Sequence, residues 1–133
     1  MRNRLFLGAA GLVVAVGLTA CATGPAVSVT PNTGLVDGQV VTVTGSGYAP
    51  NSSVGMVQCV AGADSIDDCD GRTATSHSAD ANGGYVKPLT VYKVIRHNID
   101  ETTDCSVPGN CIVAGVYIHG FQGLATAPIT FAP

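Results

Sequence analysis

The sequence predicts an all-β fold, a two-sheet antiparallel sandwich of immunoglobulin type. Three observations carry that expectation: seven apolar runs of period two, turn residues between them, and four cysteines in two close pairs. No stretch beyond the N-terminal leader repeats its apolar residues at helical spacing.

The first run, Ala26–Thr30, puts Val27 and Val29 on one face, and the second, residues 40–44, turns Val41 and Val43 inward and Thr42 and Thr44 outward. Both patterns suit strands with one face in a core and one in water. Ser53–Val60 and residues 73–79, 85–95, 111–118 and 127–131 supply the other five. Asp37-Gly38, Gly45-Ser46-Gly47 and Asn82-Gly83-Gly84 mark turns, where glycine supplies the positive φ that tight connections need. Pro88 removes a backbone donor from the fifth run, so that run is expected at a sheet edge or a bulge.

Ahead of the strands, Arg2 and Arg4 precede a 14-residue apolar run, residues 5–18. Such a run is too short to span a bilayer as a helix and has the length of a signal-peptide core. Leu18-Thr19-Ala20-Cys21 follows and reads as a lipobox. Residues 1–20 are therefore expected to be an export leader and Cys21 the lipidated first residue, with 21–25 a tether and 26–133 the folded domain. That places the protein on the outer face of the cell membrane, held through Cys21.

Without the leader, four basic residues stand against nine acidic ones, a net charge of −5. Nucleic-acid binding needs a basic stripe, and the sole cluster is Lys87, Lys93 and Arg96, so no nucleic-acid partner is expected. The 11% of charged residues and the positive mean hydropathy exclude a disordered tail.

Cys59, Cys69, Cys105 and Cys111 admit three connectivities. Separations of ten and six residues favour the local pairs Cys59 with Cys69 and Cys105 with Cys111, oxidised outside the membrane. Each bridge then contributes about 2 to 3 kcal/mol by restricting the unfolded chain, in a domain with no Trp and only Phe121 and Phe131 as phenylalanines. Neither spacing is a zinc pattern, and no metal is expected. Asp64, Asp67, Asp68 and Asp70 lack the spacing and closing glutamate of a calcium loop and are expected to form a solvated loop. His77, His97 and His119, with serines such as Ser46, Ser76 and Ser78, show neither a nucleophile elbow nor a His-Glu-x-x-His motif. No catalytic residues and no cofactor are expected.

The opening Val27-Ser28-Val29-Thr30-Pro31, Gly34-Leu35, Asp37-Gly38, Val40-Val41, Val43, Gly45 and Gly47 resembles that of the neocarzinostatin family, the apoproteins of enediyne chromoproteins. Gln58-Cys59, Cys69, residues 79–83 (Ala-Asp-Ala-Asn-Gly), Leu89-Thr90-Val91, the close pair Cys105 and Cys111, and Ile129-Thr130-Phe131 follow in the family's order. The resemblance implies a seven-stranded sandwich with a small two-ribbon subdomain and a cleft between them flanked by the two disulfides. In the family's best-known members an unstable, DNA-cutting enediyne sits in that cleft.

By the same resemblance the cleft should lie near Cys59, Cys69 and the strand after Cys111. Ala61 and Ala74 stand where the family has aromatics, and Ile112, Ala114, Val116 and Ile118 form an apolar face where it has polar contacts. The segment between Val91 and Cys105 is also shorter than in enediyne carriers. On pattern alone that apolar face reads as sandwich core, and the resemblance raises a ligand pocket to an equal reading. Tyr117 and His119 are expected on the opposite face, and Phe121, in the glycine-flanked loop 120–123, as a plug at the sandwich end or a recognition residue. The expected function is non-catalytic binding of an apolar small molecule; the rival is a structural or adhesive envelope domain contacting protein or wall polymer.

Overall fold

The structure, a computed structural model, describes residues 24–133, so the expected leader and lipidation at Cys21 lie outside the described residues. Among the described residues nine strands form: β1 (Ala26–Thr30), β2 (Val40–Ser46), β3 (Ser53–Val60), β4 (Cys69–Ser78), β5 (Tyr85–Thr90), β6 (Val94–His97), β7 (Glu101–Asp104), β8 (Cys111–Tyr117) and β9 (Gln122–Ile129). A 3₁₀ turn, Ile66–Asp68, opens after Ser65, whose side chain accepts the Asp67 N–H. Seven strands build the sandwich, in the orders β1-β2-β5 and β4-β3-β8-β9, and β6-β7 stands apart as a ribbon. All named strand pairs are antiparallel.

Between the sheets lies a core of Phe131, Leu35, Met56, Leu89, Ile129 and the valines at 41, 43, 54, 91 and 113. Val41 and Val43 are buried and Thr42 and Thr44 exposed, the alternation of a strand with one wet face. β5 pairs only with β2, so Pro88 falls on an edge strand, where its missing N–H costs no ladder bond. Both local disulfides form, Cys59–Cys69 and Cys105–Cys111.

The strands differ from expectation in several places, and β4 begins at Cys69 rather than at 73. The run 85–95 breaks after Thr90, because the peptide of Tyr92 turns into the side chain of Gln58: the Tyr92 N–H donates to Oε1 (2.8 Å) and its carbonyl accepts from Nε2 (2.7 Å). The polar run of β7, with no apolar alternation to announce it, pairs with β6 across a turn in which Asn98 and Ile99 both take positive φ. β9 begins at Gln122 rather than at 127 and carries Pro128 on the outer edge of its sheet.

The ribbon is held to β4 by a carboxylate. Asp70 is 2% exposed and is not part of a solvated loop, as its acidic neighbours suggested. Burial by itself raises its pKa, but the Arg72 guanidinium and the N–H groups of Arg96 and Arg72 outweigh that and hold it at about 2. Arg72 grips it through Nε and Nη2 (2.6 Å), donates to the Val94 carbonyl and stacks over Tyr92, while the Arg96 N–H donates to Oδ2 at 3.0 Å. Because the folded pKa lies below the unfolded value, the unfolded chain takes the proton first. The contribution of Asp70 is therefore complete above about pH 4 and lost as pH falls toward 2, an effect of about 2 kcal/mol. Asp70→Ala should lower stability by about that amount at pH 7 and flatten this part of the acid limb, which urea titrations between pH 2 and pH 7 will measure.

Candidate binding cleft

In a sandwich sheet with one wet face, buried and exposed residues alternate, yet β3 is buried without a break from Val54 to Cys59 and β8 from Cys111 to Val116. Both faces of these two strands are covered. Val113 and Cys111 face the sandwich core, whereas Ile112 and Ala114 belong to a second apolar cluster with Val57, Cys59, Ala63 and Cys69. The apolar face of β8 is thus not sandwich core. It is the floor of a separate site on the outer side of the four-stranded sheet.

The floor is assembled by register: Ala114 pairs with Val57 and Ile112 with Cys59, and Cys59 in turn pairs with Cys69. Between Met56 and Gln58 the register of β3 on β4 shifts, so that the end of this hairpin diverges as a second ribbon pinned by its own disulfide. The cluster is closed at one side by Phe121, which packs on it and not at the end of the sandwich core. Phe121 takes φ 51° between the positive-φ glycines Gly120 and Gly123, a conformation uncommon for an aromatic and held here by packing.

Beyond the cluster the site opens. A cavity of about 260 Å³ is lined by Val57, Ala74, Thr75, Ser76, Val116 and Ile118, among others, and a second of about 270 Å³ by Tyr117, Gly120 and Phe121. Ile66, Val116 and Ile118 line both. Among the described residues no carboxylate, guanidinium, ammonium or imidazole borders either cavity. The polar side chains at hand are Thr75, Ser76 and Tyr117, the last with its hydroxyl already accepting the Ala49 N–H. Across the Ile66 turn lies a different, charged recess of about 420 Å³, bordered by Asp67, Asp70, Arg72, Arg96, His97 and Asn98.

Of the residues expected at a cleft, Cys59, Cys69, Ile112 and Ala114 form the closed floor and Ala74 and Val116 the open part. Ala61 does not join them: it is exposed in the turn after β3, its N–H donating to the Asn110 carbonyl. Ile66 went unseen from the sequence, where its one signal is a lone isoleucine among four aspartates; the structure sets it 53% exposed on the 3₁₀ turn. Tyr117 borders the second cavity, but its ring packs on the sandwich core, edge-on against Tyr48, with its hydroxyl accepting the Ala49 N–H; His119 is exposed in the turn. The histidines are dispersed. His77 lies against Tyr85, with burial and the Lys87 charge lowering its pKa, and His97 bonds Thr103 and Asn98.

A model of the neocarzinostatin family matches residues 27–131. The chain belongs to that family. Macromomycin from Streptomyces macromomyceticus is 35% identical over 112 residues, covering 81% of this chain and 77% of that protein. The apoprotein of the antitumor antibiotic C-1027 from Streptomyces globisporus is 36% identical over 115 residues, 77% and 78% of the two chains, and apokedarcidin from an Actinomycete sp. is 44% identical over 102, 68% and 85%. A solved structure of macromomycin superposes with a TM-score of 0.66 at 33% identity, covering 81% of this chain and 99% of that one. Membership places the chain among binding proteins rather than enzymes.

The floor and the open cavities respond differently to added bulk. Ala114 is fully buried, so Ala114→Trp should overpack the cluster and lower stability by about 1 to 3 kcal/mol, read as an earlier thermal midpoint.

Proposed function

We propose that this protein is an exported, lipid-anchored, non-catalytic carrier that holds a neutral, apolar small molecule in the cleft on the outer face of the four-stranded sheet. The observation that carries the reading is that face itself: apolar, separate from the sandwich core, and open to solvent with no carboxylate or base among the described residues of its lining. A charged ligand would be desolvated there with no partner, which is costly. A neutral one gains from burial of apolar area. Either cavity alone is just below the 300 to 1,000 Å³ usual for small-molecule sites. A ligand of ordinary size therefore spans both, across the shared rim of Ile66, Val116 and Ile118. The family supports a carrier role, and one relative is by name the apoprotein of an antibiotic.

Ala74 and Ala61 keep the cleft from being read as a copy of the family's enediyne site. At 74 the lining offers a side-chain methyl where ring stacking would add about 0.5 to 1.5 kcal/mol, and 61 lies outside the lining. The ligand is recognised by shape and apolar area.

Ala74 lines the open part and is itself exposed. Ala74→Trp should therefore occupy the cavity without overpacking. A neutral naphthylamine dye should become fluorescent on wild type and much less so on Ala74→Trp, with the melting temperature unchanged. No uptake by wild type, or equal uptake by both, would refute the carrier reading and leave an envelope domain with a closed surface.

The anchor is tested separately. Cys21→Ala should move the protein from the detergent phase to the aqueous phase, or stall it as a precursor. An unchanged partition would contradict lipidation at Cys21.

A further inference from the structure

We infer that the tip of the β8–β9 hairpin, residues 118–124, rests on the bilayer surface, so that the open end of the cleft faces the membrane to which the chain is tethered. The inference rests on the anchor at Cys21 proposed above and adds an orientation that the anchor alone does not give. Three residues of reach separate Gly24 from Cys21, so the acylated cysteine stays within about 11 Å of it. Gly24 in turn lies at the hairpin's end of the sandwich: its carbonyl abuts Gly47, and a Cβ on Gly123 would meet Pro25 Cγ at 3.6 Å. The tether therefore delivers this end of the domain, and not the Val36 end, to the lipid.

What is delivered there suits an interface. Ile118 and Leu124 are 42% and 40% exposed, and Phe121 is half-buried between them. After Asp104 the chain has no Asp, Glu, Lys or Arg at all, and His119 is the one imidazole in that stretch. An uncharged hairpin with apolar side chains at its tip pays little desolvation on entering the headgroup boundary, where such side chains settle about 5 to 10 Å deep. Ile118 and Phe121 also line the cavities. Contact of the tip with lipid thus sets the rim of the cleft at the level from which an apolar ligand partitions.

The absence of Trp from the chain makes the test direct. Full-length lipidated protein carrying Phe121→Trp is bound to phosphatidylcholine vesicles with brominated or ordinary acyl chains, and Val36→Trp, at the opposite end, serves as the reference. Leu124→Trp is measured alongside, in case the larger ring at 121 prevents folding. Flotation with the vesicles, strong bromine quenching at 121 or 124, and unquenched emission at 36 are expected. Flotation with no quenching at the hairpin, or equal quenching at all positions, overturns the docking surface and leaves the anchor standing. Failure to float, with no acyl mass on Cys21, removes both.

Discussion

A fully buried glutamine governs how this fold acquires a second apolar compartment. The side-chain amide of Gln58 pairs with both polar groups of the Tyr92 peptide, as a neighbouring strand would, and its Nε2 also lies 3.3 Å from the Cys105 sulfur. A buried amide left without partners costs about 1 to 3 kcal/mol, so the pairing fixes where the chain must leave the three-stranded sheet. Once it leaves, the next residues form a ribbon standing beside β4. Asp70 and Arg72 complete the attachment from the other strand of the same hairpin.

This attachment explains the burial of β3 and β8 on both faces. A sandwich needs only one covered face per sheet. Here the diverging end of β3–β4, its disulfide and the Ile66 turn bring side chains over the outer face of β8, and Phe121 closes the remaining side. The cover is incomplete beyond Val116. It leaves an apolar recess whose size is set by two small residues, Ala74 and Gly55, on adjacent strands.

Much of the sandwich was legible because its strands obey period two and its turns use glycine at positions that require it. Val41, Val43 and Ser53–Val60 fell where the pattern put them. The cysteine spacings led to the right pairs, and the order of motifs led to the family. The split of the fifth run was not legible, because its cause is one side chain 34 residues away. Nor could the pattern say which side of β8 met the sandwich core, since Cys111–Tyr117 is apolar at nearly every position and has no polar face to orient it. Asp70 looked like its neighbours Asp67 and Asp68 and differs only because Arg72 and the Arg96 N–H meet it.

The account stands on the claim that the recess holds a neutral apolar molecule in life. Native mass spectrometry of the protein purified from its own host, with its lipid anchor, tests this most directly. The account predicts a species heavier than the acylated polypeptide by one small molecule, released when the protein is unfolded. A single species at the acylated polypeptide mass, from preparations that also fail to take up an apolar probe, would contradict it.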